Sequence, residues 1–189
     1  MVLKTLELMD FMTHFNKSLL LLAAMTLPAS AAEFNLGLND DVVSAELTTK
    51  IAYNANAGIN YIYSDNNGHL LQVASHLTHD AGAHHLEFGV QYSQLWSDLS
   101  PNGGVLAIGG RYAIDLGSKL SWHAAGYYTP SVLAFGKLDG HYEGDTKIQF
   151  DLTPTMGFYA GYRYIHFEYD HAKDTTFDSG FYLGMKARF

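Results

Sequence analysis

Apolar and polar residues alternate with a period of two along most of this chain, most cleanly in its last nine residues. Phe181, Leu183, Met185, Ala187 and Phe189 hold the odd positions, and Tyr182, Gly184, Lys186 and Arg188 the even ones. Period two places successive side chains on opposite faces of a β-strand. The chain therefore ends in a strand with one apolar and one polar face, finishing on a bare Phe.

The same pattern predicts nine strands upstream. Phe34, Leu36 and Leu38 alternate with Glu33, Asn35 and Gly37, then Val43, Ala45, Leu47 and Thr49 with Ser44, Glu46, Thr48 and Lys50. Ile59, Tyr61 and Tyr63 mark a third strand, and Leu71, Val73, Ser75 and Leu77 a fourth, against Gln72, Ala74 and His76. The fifth carries Leu86, Phe88, Val90 and Tyr92, and the sixth Leu106, Ile108, Gly110 and Tyr112. The seventh sets Leu120, Trp122, Ala124 and Tyr128 against Ser121, His123 and Tyr127. The eighth is the most polarised, with Tyr142, Thr146, Ile148, Phe150 and Leu152 opposed to Glu143, Asp145, Lys147, Gln149 and Asp151. The ninth carries Phe158, Ala160, Tyr162 and Tyr164; its far end, 165–169, breaks the pattern and predicts a bulge there.

Alternation alone fits a soluble β-sandwich or lipocalin-like cup, with charges outside, as well as a membrane barrel, with charges inside. Three features favour the barrel. Ten strands is an even number, although an eight-stranded barrel also fits the weak first pair. The strands have the length that crosses a bilayer at a tilt. The connections alternate: tight at 115–118 and 153–154, longer at 97–103, 129–140 and 170–178, with 81–84 slightly long for its place. Short periplasmic turns and longer outer loops are the barrel arrangement. The fold class expected is all-β, an up-and-down antiparallel transmembrane β-barrel of about ten strands.

The front of the chain points the same way. From Met12, one positive charge at Lys17 precedes an apolar run, 18–27, and then Pro28-Ala29-Ser30-Ala31. That three-part layout predicts a secretory signal peptide, cleaved after Ala31 or Ala32. The run is too short for a spanning helix, which needs about 20 residues. The expected organisation is a signal peptide over 1–31, with Met12 the more natural start, and a barrel domain over 32–189. Export through the Sec pathway and a place in a Gram-negative outer membrane follow.

Composition changes the picture little. Aromatics make up 14% of the chain, with 13 Tyr, which suits strands and interfacial girdles. There is no Cys, hence no disulfide and no thiolate metal site. The net charge of −8 argues against nucleic acid as a partner.

The stretch Tyr127-Tyr128-Thr129-Pro130-Ser131-Val132-Leu133-Ala134-Phe135-Gly136-Lys137-Leu138-Asp139, followed by Tyr142-Glu143, resembles a hallmark of the YfaZ family of proteobacterial outer-membrane proteins. The start Glu33-Phe34-Asn35-Leu36, the segment Gly161-Tyr162-Arg163-Tyr164 and the aromatic C-terminus fit the same pattern. The resemblance implies an outer-membrane location, a small barrel and a terminal Phe189 read by the barrel-assembly machinery. It supplies no catalytic residues.

Candidate chemistry is sparse. Arg111, Lys147, Arg163, Lys186 and Arg188 are expected to neutralise Glu46, Glu87, Glu143, Asp145 and Asp151 inside the barrel, leaving no wide aqueous route. Lys186 and Arg188 are matched with the acidic row of the eighth strand and with Glu46. The loop 129–140 carries Val132, Leu133, Phe135 and Leu138, which suit packing on the wall or neighbouring loops better than a lid or a partner surface. His84 and His85 are adjacent and face opposite ways, so they do not share an ion; His76 and His79 offer only a conceivable surface site. His141 and Glu143 share a face, with Ser131 nearby in the chain, the thin basis for a lipid-modifying enzyme. No catalytic, cofactor-binding or metal residue is assigned. The leading expectation is a monomeric, non-catalytic barrel that contacts outer-membrane lipid and lipopolysaccharide in a structural or surface-interaction role. The alternatives are a narrow solute channel and a lipid-modifying enzyme.

Overall fold

The computed structural model describes residues 32–189; the expected signal peptide lies outside them. Eleven strands follow in order: β1 (Ala32–Leu38), β2 (Val42–Ala52), β3 (Ala55–Ser64), β4 (Gly68–Ala81), β5 (His84–Trp96), β6 (Gly103–Asp115), β7 (Leu120–Thr129), the short β8 (Ala134–Gly136), β9 (Leu138–Thr153), β10 (Met156–Tyr169) and β11 (Thr175–Arg188). Ten of them, all but β8, form a closed antiparallel barrel. Each pairs with its neighbours in sequence, β7 pairs with β9, and β11 closes on β1 from Glu33↔Arg188 to Leu38↔Leu183. The last residue joins the seam, with the Phe189 N–H donating to the Ala32 carbonyl at 3.0 Å. The weak first strand pair is real, and the count is ten rather than eight.

Side-chain direction decides between the two readings of the alternation. Phe181, Leu183 and Phe189 point outward and are 82%, 68% and 73% exposed, whereas Lys186 is 1% exposed inside. The charged rows of β2, β5, β6, β9 and β10 face the lumen, and Phe88, Val90, Ile148, Phe150 and Phe158 face out. This is the reverse of a soluble sandwich, and it makes the chain a transmembrane β-barrel. Outward aromatics gather towards both ends. Tyr63 lies by His69 at 5.1 Å, and Tyr142 stacks with Tyr164 at 5.8 Å, towards the loop end. Tyr112 meets Trp122 at 5.8 Å towards the other end.

The connections at the end where β1 begins and β11 finishes are short: 53–54, 82–83, 116–119 and 154–155. The turn expected to be long there is only Gly82-Ala83, with Gly82 at φ +63°. The longer connections, 97–102, 130–137 and 170–174, share the opposite end with 39–41 and 65–67. The loop after β7 does not stay a loop. Residues Ser131–Leu133 make one 3-10 turn, and β8 then pairs with Gly103–Val105, where β6 rises beyond β7. Of the four apolar residues flagged there, Leu138 enters the interior, while Val132 and Phe135 remain on the surface.

At the loop end the lumen is filled. Val42, Ile62, Leu70, Leu95, Val105, Leu138, Ile165, Phe167, Tyr169 and Phe177 form one buried apolar cluster drawn from eight strands. Loops are tied across it. Asn67 Nδ2 donates to the Phe177 carbonyl (3.0 Å), Tyr169 Oη to the Pro101 carbonyl (3.1 Å), and the Ser100 and Thr175 hydroxyls meet at 2.9 Å. The expected bulge lies here, but its extra residue belongs to the partner strand. The β10–β11 register slips between Ile165↔Asp178 and His166↔Thr176, leaving Phe177 unpaired and turning Phe177 and Asp178 inward together.

Inward tyrosines are accommodated by glycines on adjacent strands. A Cβ at Gly184 would stand 2.2 Å from the Tyr159 ring and 2.4 Å from the Leu36 carbonyl. Gly184→Val should therefore destabilise the barrel by about 1–3 kcal/mol through overpacking. The drop in the temperature at which heat-modifiable gel migration is lost measures it, and unchanged stability would contradict the packing described.

Candidate functional site

Below the apolar plug the lumen is a cavity of about 760 Å³. It runs from the rim at the short-turn end, at Asp115, Gly117, Ser118 and Lys119, to Gln72, Gln91 and Glu143 at its floor; no plug residue lines it. The barrel is thus a cup, open at the short-turn end and stoppered at the loop end.

Every second residue of a strand turns inward to line it, and register decides which of these side chains meet. At the rim, His85 bridges Asp80 through Nδ1 and Glu87 through Nε2, the latter at 2.9 Å. Glu87 also accepts from Asn56 Nδ2 at 2.6 Å, and His76 lies between Asn56 Oδ1 (3.2 Å) and Tyr127 Oη (2.7 Å). The Arg111 Nε–H donates to Tyr127 Oη at 3.0 Å, and its Nη2 pairs with Glu46 at 2.6 Å. An unbroken polar chain therefore runs from Asp80 at the rim to Glu46 in mid-lumen. At the floor, Glu143 on β9 accepts from Gln72 Nε2 (2.7 Å) and Gln91 Nε2 (3.0 Å) on β4 and β5, a bond that crosses the barrel. His141 stands 3.7 Å from Glu143 and lies against Phe167 of the plug, the rings tilted with centroids 4.7 Å apart.

The expected neutralisation of interior charge holds in outline: the terminal strand meets the acidic row of β9, as expected, at Asp151, and the other partners differ. Lys186 meets Asp151 at 3.0 Å, and Arg188 meets Glu33 at 2.9 Å and Asp151 at 3.9 Å. Glu46, expected opposite the terminal strand, belongs to Arg111. Arg163 pairs with Asp178 at 2.7 Å, and Asn39 Nδ2 donates to the second oxygen of that carboxylate at 3.1 Å. Sequence reasoning missed Asp178 because it placed 170–178 in a loop. Asp145 accepts from Tyr182 Oη at 2.7 Å. Lys147 has no carboxylate within ion-pair distance among the described residues; its ammonium lies over the Tyr159 ring at 4.6 Å.

The other candidate groups do not assemble. His76 and His85 face the lumen, whereas His79 and His84 are exposed on the outside, and among the described residues no cluster of His, Asp and Glu could hold a metal ion. His141 is wholly buried, while Ser131 is exposed on its 3-10 turn.

A buried charge that loses its partner is costly. Arg163→Met leaves Asp178 buried against apolar neighbours, with only the Asn39 amide. It should cost about 3–5 kcal/mol, read as a lowered urea midpoint for the barrel in detergent micelles. A midpoint equal to that of the unaltered protein would refute the pairing.

No curated protein matches the chain. Among solved structures it is similar to the KdgM porin, at 10% identity over 84% of this chain and 99% of that one, with a TM-score of 0.46. The same porin in complex with disordered oligogalacturonate gives 10% identity, the same coverage and a TM-score of 0.48. The outer membrane channel DcaP of Acinetobacter baumannii gives 10% identity over 82% of this chain and 54% of that one, with a TM-score of 0.46. The family described as YfaZ precursor matches residues 12–189, the whole barrel included, and the chain belongs to that family.

Proposed function

We propose that this protein is a monomeric, non-catalytic barrel of the Gram-negative outer membrane that does not conduct. It is exported through the Sec pathway, with its termini in the periplasm and its long loops outside. Its lipid-facing wall contacts membrane lipid and lipopolysaccharide, its loop face is a closed surface, and its cup opens to the periplasm. The observation that carries this reading is the plug: ten apolar side chains from eight strands, with loops hydrogen-bonded across them, leave the cavity ending at Glu143. An apolar stopper without an aqueous gap presents a desolvation barrier to any ion. The short-turn and long-loop asymmetry supports the orientation. The separation of buried His141 from exposed Ser131 supports a role without catalysis.

Planar-bilayer recording tests the seal. The unaltered protein should show no steady conductance, and the double variant Phe167→Gly, Phe177→Gly should show discrete channel openings. Large steady conductance of the unaltered protein would instead establish a solute channel.

Phe189, outward-facing at the seam, is the residue we assign to the barrel-assembly machinery. Phe189→Asp should leave export intact and abolish heat-modifiable barrel in cells, yet refold from urea into detergent. Normal insertion in cells would refute the assignment.

A further inference from the structure

We propose that the loop end of the seam binds a short basic peptide as an added β-strand, in a cleft between β11 and the connections 39–41 and 65–67. The proposal rests on the reading above only for the side from which the peptide comes.

The two strands of the seam are unequal. β1 has 7 residues and ends at Leu38, opposite Leu183, whereas β11 reaches back to Thr175. Between Thr175 and Tyr182 no strand pairs with β11 on the seam side. The Phe189 N–H turns to the seam, where it meets the Ala32 carbonyl, and the Arg188 N–H turns the other way, meeting the Thr155 carbonyl at 2.8 Å. Successive residues of a ladder alternate in this sense, and the β10–β11 register holds on β11 from Ala187 to Asp178. Phe181 and Ser179 therefore aim N–H and carbonyl groups at the seam side, where no strand stands. The next such group is already served: the Phe177 carbonyl accepts from Asn67 Nδ2 at 3.0 Å.

An edge of this kind is not tolerated in hydrocarbon. Here the outward side chains pass from Leu183 and Phe181 to Ser179 and Thr176, so the edge stands where the wall leaves its apolar belt. An unpaired edge within reach of water is a template for another strand, whose main chain supplies the missing hydrogen bonds. A cleft of about 350 Å³ lies along it, lined by 176–181 on one side and by the segments 39–42 and 66–67 on the other. That volume is at the lower end of the range that holds small ligands and suits a few extended residues.

Charge selects the occupant. Asp40 and Asp41 line the cleft, and Asp65 adjoins them, its N–H donating to the Asp41 carbonyl at 2.9 Å. All three side chains are exposed, and no Lys, Arg or His lines the cleft. A second copy of this chain would bring the same carboxylates against one another. A basic strand brings opposite charges together, which favours pairing.

Fluorescence anisotropy of a labelled short peptide of alternating Lys and Val, titrated with the detergent-solubilised barrel, tests the proposal. Saturable binding that weakens with added salt is expected. The same peptide methylated at every backbone nitrogen should bind at least tenfold more weakly, and its counterpart with Glu for Lys should not bind. Ser179→Pro removes an N–H from the seam side and none from the β10–β11 ladder, and should lower affinity by about tenfold. Asp40→Asn combined with Asp41→Asn should lower it by about fivefold. Heat-modifiability confirms folding, and if Ser179→Pro does not fold, the methylated peptide and the Asp variant decide. The proposal is overturned by the absence of saturable binding, by equal binding of the methylated peptide, or by unaltered affinity in the folded variants. A concentration-dependent dimer that Ser179→Pro abolishes also overturns it, giving the edge to a second copy. Binding in detergent is read without a membrane orientation, so its failure leaves the reading above standing.

Discussion

Inside a bilayer no water is present to satisfy a backbone N–H or carbonyl, so a sheet that crosses it must have no free edge. Every other property of this molecule follows from that closure. The seam joins β1 and β11, the first and last strands of the described residues, so neither strand can be lost without opening an edge. β8 meets the same demand locally: β6 outreaches β7, and three residues from the following loop supply the missing neighbour at Gly103–Val105.

Closure creates a second demand, because a ring of ten strands encloses a space that side chains must fill or water must occupy. The chain fills it in two ways. Below the plug it uses tyrosines laid over glycines, as Tyr159 lies over Gly184, and ion pairs such as Arg111–Glu46 and Lys186–Asp151. At the loop end it uses apolar side chains. The polar part is imperfectly satisfied internally, with Asn35, Asn60 and Glu87 keeping oxygens free, and it is also the part that stays open.

The strand phases were legible in the sequence because period two needs only local information. All ten predicted strands exist, and the outward rows Phe181–Phe189 and Tyr142–Leu152 face as expected. Which charges meet was legible only where Lys186 and Arg188 reach Asp151 in the acidic row of β9. Arg163 finds Asp178 through a bulge that adds Phe177 to β11, and Glu143 finds Gln72 and Gln91 only because β4, β5 and β9 face one another once the ring is closed. No local pattern carries register slips or cross-lumen distances. The cup was invisible for the same reason: it is a property of closure.

The segment 165–169 shows how a correct observation can carry the wrong meaning. Its polarity breaks the pattern of the strand, yet its period does not change: Ile165, Phe167 and Tyr169 point in, while His166 and Glu168 are less buried. What inverts is which chemistry faces which side. A tilted strand needs about 9–11 residues to cross a bilayer, and β9, β10 and β11 have 16, 14 and 14. The surplus at the loop end stands beyond the hydrocarbon, where water surrounds the wall and the ordinary rule of apolar-in, polar-out returns. His69 beside Leu70 and Gln94 beside Leu95 follow the same inverted order on β4 and β5. The plug is therefore a small conventional hydrophobic core built on top of an inside-out barrel. The same inversion that anchors the long loops also stops the lumen.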